Sequence, residues 1–373
     1  MKAKKLIWGL VIVAVVAVFG GRAWYLHKQS VAEKDVVKIG AILPLSGVYS
    51  EQGELALKAV LLAAEDFNKN SPFDVKVVAE DGKYTAKDTV SAYRKLRSSN
   101  VDLIWMWGSE APMLAIAPIA AEENIPLYVS GWKSVDPGMT FWRYIPNYFK
   151  AFSSFVIDDL KSKNVVMFYI KDPTQEEIAN GIEKHLAENN IPTLLKERVP
   201  LGTCKSLAPS LVDKALAKEP DTVVMQTFGP CLKELINTFR ERRFMGPIVV
   251  PPDIDEYNQN LVRVDAPLYY VDSAFDEYNQ DPKVQEFIQR FKAKYNKVPK
   301  LTNMESYMAI MMIAQSVPSA NYKVMDIYQN MQNIHDFPSL LGPVTNVKED
   351  RFLTFPWVIK QMMSDGTAKV VKE

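Results

Sequence analysis

Cysteine, histidine and glycine are scarce in this chain of 373 residues, at 2, 3 and 16 copies. Cys204 and Cys231 form no C-x-x-C unit, which excludes a zinc ribbon or a thioredoxin-type redox motif. His27, His185 and His335 fall in an N-terminal tether, a helical stretch and a late loop, so they do not suggest a metal cluster. No G-x-S-x-G, P-loop or G-x-G-x-x-G pattern occurs, so the common marks of hydrolases and of nucleotide sites are missing. Excess charge is missing as well. Lys+Arg and Asp+Glu both number 44, which argues against a nucleic-acid partner and against an acidic disordered chain. On these grounds no catalytic residues, no metal and no cofactor are expected.

What is present is a globular composition, 48% hydrophobic and 24% charged, on a chain long enough for two ordinary domains. Lys2, Lys4 and Lys5 precede an unbroken apolar run from Leu6 to Gly21, the two parts of an export signal. By the positive-inside rule, everything after the run lies outside the cytoplasm. Gly21-Arg22-Ala23 is a poor small-x-small cleavage site, and the run is shorter than the ~20 residues that span a bilayer comfortably. Retention as an anchor and removal as a signal peptide both stay open. Residues 1–35 are assigned to this hydrophobic segment and a polar tether.

After the tether, strands alternate with amphipathic helices. Val36–Leu43 reads as a buried strand, and Leu57, Val60, Leu61, Ala64 and Phe67 mark one face of the helix that follows. Further strands are expected at Phe73–Ala79, Val101–Trp107 and Leu127–Val129, with helices between them. The alternation restarts at Val165–Ile170 and runs through Thr193–Val199 and Thr222–Gln226 to Ile248–Val250. Strand–helix alternation builds parallel sheets covered on both faces, and two separate runs imply two α/β lobes. The stretch around Pro146–Phe149 is the expected first crossover. The Met304, Met308, Met311 and Met312 series reads as the core face of a helix, and Phe355–Met362 with Ala368–Val371 as an antiparallel pair. Cys204 and Cys231 fall after strand ends of the same domain. A bond between them would contribute about 3 kcal/mol in the chain-entropy model; two free, unreactive thiols are the other reading.

Several segments carry a family likeness. Ile39-Gly40-Ala41-Ile42-Leu43-Pro44-Leu45-Ser46-Gly47 with Gly53, Asn124-Ile125-Pro126-Leu127 leading to Ser130-Gly131, and Glu219-Pro220-Asp221-Thr222-Val223-Val224 stand in order. Arg242 to Pro247, Glu305-Ser306-Tyr307-Met308-Ala309 and Gly342-Pro343-Val344 continue the series. Together they resemble the type I periplasmic solute-binding proteins, in particular the branched-chain amino-acid (Leu/Ile/Val) branch, from about Val36 to the end. The resemblance implies a Venus-flytrap fold of two doubly wound, mostly parallel lobes joined by three crossovers. Lobe one would hold 36–146 plus 276–340, and lobe two 147–275 plus 341–373. It also implies a receptor without catalytic machinery that delivers a small solute to an ABC permease. A membrane-tethered sensor of the same fold is the alternative.

Ligands of open α/β sheets bind at the carboxyl ends of the strands. In lobe one that rule selects Ser46 and Tyr49, then Gly108, Ser109 and Glu110, then Ser130, Trp132 and Ser134. In lobe two it selects Asp172, Thr174, Phe228 and Asp253. Gly108-Ser109 opens a helix whose free N–H groups and dipole favour an anion such as a carboxylate, although Ser109 also fits a simple N-cap. The resemblance agrees, since the family seats a carboxylate with a Ser hydroxyl here and Ser/Thr in the next loop. Asp172-Pro173-Thr174-Gln175 departs from the family, lacking the Tyr-Gly expected there, and Ile248 stands near where an acid would hold the ammonium group. Trp107 and Trp132 flank the same cleft; Trp132 is the better candidate contact, and Trp107 equally suits the core. The expected ligand is a small carboxylated solute, an amino acid or related acid or amide, with room for an aromatic or apolar part.

Overall fold

The computed structural model describes residues 36–372 apart from 109, 131–139, 144–145, 201, 253, 255–260, 263–264, 274, 276–278, 319–321, 341, 348–351 and 355. The proposed export segment therefore lies outside the described residues. Among the described residues, no helix is long and apolar enough to cross a membrane.

The first half of the chain runs β1 (Val36–Leu43), α1 (Ser50–Asn70), β2 (Asp74–Asp81), α2 (Ala86–Ser98), β3 (Leu103–Trp107), α3 (Glu110–Glu122), β4 (Leu127–Ser130) and β5 (Thr140–Arg143). There follow α4 (Pro146–Ser154), β6 (Val165–Ile170), α5 (Pro173–Glu188), β7 (Thr193–Val199), α6 (Ala208–Leu216), β8 (Thr222–Gln226), α7 (Pro230–Glu241), β9 (Ile248–Val250) and β10 (Leu268–Ser273). The chain closes with α8 (Pro282–Tyr295), α9 (Leu301–Gln315), α10 (Val324–Gln332), β11 (Phe337–Ser339), β12 (Gly342–Val347), β13 (Phe352–Thr354), β14 (Trp357–Met362) and β15 (Ala368–Lys372).

Two sheets result. The first has eight strands in the order β11-β12-β13-β5-β4-β3-β1-β2, the second seven in the order β15-β14-β10-β9-β8-β6-β7. All pairs from β2 across to β13, and from β7 across to β10, are parallel; the antiparallel partners sit at one edge of each sheet. A strand buried on both faces must carry apolar residues at successive positions. Accordingly Leu103 and Trp105 of β3 enter one core while Ile104 and Met106 enter another on the opposite face. In β6, Val166, Phe168 and Ile170 point one way and Val165, Met167 and Tyr169 the other.

Helix α9 shows why the late helices return to the first lobe. Its Met304, Met308 and Met312 are buried in the core that β1 and α1 also line, which is the packing expected of an apolar face at helical spacing. Helix α8 is fastened to α1 by charge, Arg290 pairing with Asp66 and Lys294 with Glu65, while Asp66 also pairs with Lys69 of its own helix and accepts from the Tyr307 hydroxyl of α9 at 2.9 Å.

The chain passes between the sheets three times: between Arg143 and Pro146, between Ser273 and Pro282, and between Thr354 and Trp357. These limits differ from the sequence reading in two places. Pro146–Phe149 is the start of α4, which packs on the second sheet, and not itself the crossover. Gly342–Val347 and Phe352–Thr354 extend the first sheet through β13–β5 pairing, so 341–373 does not belong wholly to the second. Short strands of this kind are placed by the backbone partner they find, and their side-chain pattern does not identify that partner.

Candidate functional site

Strand order reverses between β1 and β3 in the first sheet and between β6 and β8 in the second. Such switch points leave a crevice at the strands' carboxyl ends. The two crevices meet, because the ring of Tyr49, after β1, lies 6.3 Å from that of Phe228, after β8. The cleft is bordered by residues of both sheets.

On the first side, the loops after β1 and β2 are tied together by one carboxylate. Asp81 Oδ2 accepts from the Ser46 hydroxyl at 2.6 Å, and Oδ1 accepts from the amides of Leu45 and Lys83, each at 2.9 Å. Partial burial works to raise the Asp81 pKa, but these hydrogen bonds outweigh it and hold the carboxyl below its ordinary range. Gly53 lets α1 approach the same loop, since a Cβ there would fall 2.0 Å from the Pro44 carbonyl oxygen. Over this base runs a row of rings. Tyr84 lies 4.6 Å from Tyr49 and 5.8 Å from Trp107, centroid to centroid. Both Lys83 and Tyr84 have positive φ, 46° and 61°. A bulky side chain rarely adopts this conformation, and the aromatic contacts hold it there. Beside Trp107 in register stands Ser130, buried, whose Oγ accepts from the Trp105 indole N–H at 3.0 Å.

On the second side, β8 ends at Gln226, and Thr227 and Phe228 follow it into the loop that reaches Tyr49. Gln226 and Thr227 are 1% and 0% exposed. The Tyr148 hydroxyl meets Gln226 Oε1 at 3.4 Å, while Gln226 Nε2 and Thr227 Oγ1 have no hydrogen-bond partner among the described residues. Gly229 follows with φ 69° and ψ −160°, which only glycine adopts without strain, and α7 begins at once with Pro230. This turn is stapled. Cys231 is disulfide-bonded to Cys204, its amide donates to Gly202 O at 3.0 Å, and Glu234 accepts from Cys204 N at 2.7 Å and from the Thr203 hydroxyl at 2.8 Å. Asp172, after β6, opens α5: its carboxylate accepts from Gln175 N and its carbonyl from Glu176 N.

Next to the crossovers the second sheet buries a charge pair. Lys360 Nζ, with its side chain 0% exposed, donates to Asp272 Oδ2 and to the Phe275 carbonyl, both at 2.8 Å. Tyr148 and Trp357, each just past a crossover, pack edge to face at 5.1 Å.

Of the residues expected at the cleft, Tyr49, Gly108, Ser130 and Phe228 stand at its strand ends, and Ser46 and Asp172 hold its loops. Ser109, Trp132, Ser134 and Asp253 lie outside the described residues, as do the side chains of Glu110 and Thr174. Trp107 is half-buried, resting on the first core while its ring meets Tyr84. Sequence reasoning missed Tyr84, Gln226 and Thr227. The strand-end rule reaches all three, since Tyr84 follows the Asp81-Gly82 turn and Gln226-Thr227 immediately precede Phe228. Arg240, close to the exposed Arg242 and Arg243, is buried: it donates to the carbonyls of Phe244, Gly246 and Pro267, and burial lowers its pKa to about 10. Among the described residues, no three His, Cys, Asp or Glu side chains gather as metal ligands.

A model of the periplasmic binding protein family matches residues 36–367. Three solved structures illustrate the likeness. The leucine-binding protein LivK of Thermotoga maritima is 20% identical, with TM-score 0.79 over 90% of this chain and 97% of its own. An ABC-transporter solute-binding protein of Rhodopseudomonas palustris, in complex with 3,4-dihydroxybenzoic acid, is 14% identical, with TM-score 0.79 over 91% and 97%. The substrate-binding protein LivJ of a branched-chain amino-acid transporter from Streptococcus pneumoniae, in complex with isoleucine, is 20% identical, with TM-score 0.76 over 91% and 100%. No curated protein matches the sequence.

Proposed function

The chain belongs to the periplasmic binding protein family, and we propose that it captures a small carboxylated solute between its lobes and hands it to an ABC permease. The observation that carries this reading is the Tyr49–Phe228 contact, which turns two switch-point crevices from separate sheets into one cleft. Hinged lobes serve capture because closure buries the solute and reshapes the outer surface that a permease meets. The carboxylate is assigned to the start of α3 and to Ser130. Helix α3 offers unpaired N–H groups and the positive end of its dipole. Ser130 keeps a hydroxyl proton to donate while it accepts from the Trp105 indole. Solute-binding relatives of the same fold hold amino acids in some cases and aromatic acids in others, so family membership leaves the solute's class open.

We assign the protein to the extracytoplasmic side, possession of an export segment at residues 6–21 being the sequence argument and the Cys204–Cys231 bond the supporting one, since disulfides persist in oxidising compartments. Binding without chemical turnover is part of the reading.

A thermal-shift panel of amino acids, aromatic acids, keto acids and amides on the full chain tests it. A true ligand at a hundred times its Kd adds about 2.7 kcal/mol to the folded state and raises the melting temperature in proportion. A panel in which no small carboxylate moves the transition would sink the reading, and conversion of a bound compound to product would replace it with an enzyme.

A further inference from the structure

We infer that the solute is a planar aromatic acid carrying a second hydrogen-bond acceptor, and not an aliphatic α-amino acid. This rests on the cleft reading above and adds the ligand's chemistry to it. Two independent features of the cleft converge on that class.

The first is the wall. Phe228, Tyr49, Tyr84 and Trp107 form a continuous row of rings from one lobe to the other, with successive centroids 6.3, 4.6 and 5.8 Å apart. Aromatic pairs favour offset or edge-on arrangements at such separations, and a flat ligand ring extends the series in the same way. A branched aliphatic side chain gains only area from this surface and no ring-to-ring geometry. The 6.3 Å between Tyr49 and Phe228 leaves no space for a third ring between them, so the ligand lies beside this pair, toward Trp107 and Ser130.

The second is the sign of the polar groups still unspent. Ser130 accepts from the Trp105 indole, which can only donate, and keeps its own proton and one further lone pair to offer. Gln226 has its oxygen met by Tyr148, so its Nε2 hydrogens are what it offers. Thr227, the residue after Gln226, has its Oγ1 buried without a partner among the described residues. Buried polar groups are normally satisfied, and leaving one unpaired costs stability, so these groups point to what the bound state supplies. One lobe contributes Ser130 and the other Gln226 and Thr227, and a ligand with an acceptor at each end can satisfy all three. The carboxylates described nearby are already engaged: Asp81 with Ser46 and two amides, Asp272 with Lys360, Asp172 with the first turn of α5. They do not provide the site for an ammonium group that an α-amino acid requires.

Calorimetric titration of the full chain with benzoate, 4-hydroxybenzoate and terephthalate against leucine and isoleucine separates the classes. The aromatic acids with a second acceptor are expected to bind at least about tenfold more tightly than either aliphatic amino acid. Thr227→Val then tests the assignment of the polar groups. Removing a buried hydroxyl without a partner should leave the melting temperature of the ligand-free protein unchanged or raise it, yet weaken the best aromatic probe by roughly tenfold. Tighter binding of leucine or isoleucine overturns this inference and leaves the receptor reading standing. Aromatic binding that Thr227→Val does not weaken also overturns it, by removing the donor from the site. Failure of all five probes to bind overturns this inference, and the receptor reading falls with it only if the wider thermal-shift panel also moves nothing.

Discussion

The two sides of the cleft hold their loops by different means. In lobe one, Asp81 gathers Ser46, Leu45 and Lys83 with hydrogen bonds and the rings of Tyr49, Tyr84 and Trp107 pack over them. In lobe two, a disulfide between Cys204 and Cys231 closes the turn that carries Thr227 and Phe228. The behaviour of the two mechanisms differs. A carboxylate with several partners responds to pH, because protonation removes its acceptors, whereas a disulfide responds to reductants. Away from the cleft the contrast is one of burial. Lobe one fastens α8 through the Asp66 cluster near its surface, and lobe two buries Lys360 against Asp272 beside the crossovers. Acid and reducing agent should therefore loosen different halves of the same receptor.

The largest effect is expected at the buried pair. Lys360→Met leaves the Asp272 carboxylate without its cation in an enclosed site, which costs about 3–5 kcal/mol. Urea denaturation would show it, and the double variant Lys360→Met/Asp272→Leu should recover part of the loss. A destabilisation in the double variant as large as in the single one would mean that packing, and not charge, holds this region.

Cys204→Ala/Cys231→Ala comes next, at about 3 kcal/mol from the larger entropy of the unfolded chain. Reducing agent should produce a similar shift in the wild type and none in the variant. Because the bond closes the loop that bears Thr227 and Phe228, solute affinity should fall as well. Unaltered affinity would show that α7 and Gly229 position this turn without the bond.

Acid sharpens the other side of the comparison. Burial raises the Asp66 pKa, but the hydrogen bonds from Arg290, Lys69 and Tyr307 outweigh it, so the folded value lies below the ordinary one. Asp81 is lowered in the same direction. A folded pKa below the unfolded one means that the unfolded chain binds more protons in this range. The stabilisation is complete above about pH 4 to 5 and is lost as pH falls below the ordinary carboxylate value toward the folded one. Asp66→Asn should lower the urea midpoint at pH 7 and lose less than the wild type on going to pH 3. Parallel pH curves for the two proteins would remove Asp66 from the explanation.

The smallest effect is expected at Arg242 and Asp213, an exposed pair at 2.8 Å in lobe two. Solvent screening and side-chain entropy cancel most of such a contact. Arg242→Ala should leave the denaturation midpoint within its experimental error, while Arg240→Ala, which strips three carbonyls of a buried donor, should move it clearly.

Much of the molecule is legible in its sequence because burial on both faces of a parallel strand leaves a mostly apolar run. Val36–Leu43, Val165–Ile170 and Thr222–Gln226 are visible for that reason, and the rule that ligands meet strand ends reaches Tyr49, Ser130 and Phe228 without coordinates. The strands β12 and β13 are not legible in this way. Gly342-Pro343-Val344 and Phe352-Leu353-Thr354 are short, and their sheet is set by the backbone they pair with. Arg240 was equally hidden, since its neighbours Arg242 and Arg243 are exposed and only the turn at Phe244–Gly246 brings carbonyls around its guanidinium.

Local alternation of apolar and polar residues fixed the element types, the two sheets and the approximate ends of the cleft, because secondary structure and burial depend on neighbours along the chain. Tertiary structure alone decided which polar atoms at those ends remain unspent. Whether Gln226 offers its oxygen or its nitrogen depends on where Tyr148 arrives, 78 positions earlier in sequence, and Ser130 accepts from Trp105 because the sheet sets the indole beside it. Hydrogen bonds are short-ranged and directional, so their partners are known only once the chain has closed on itself.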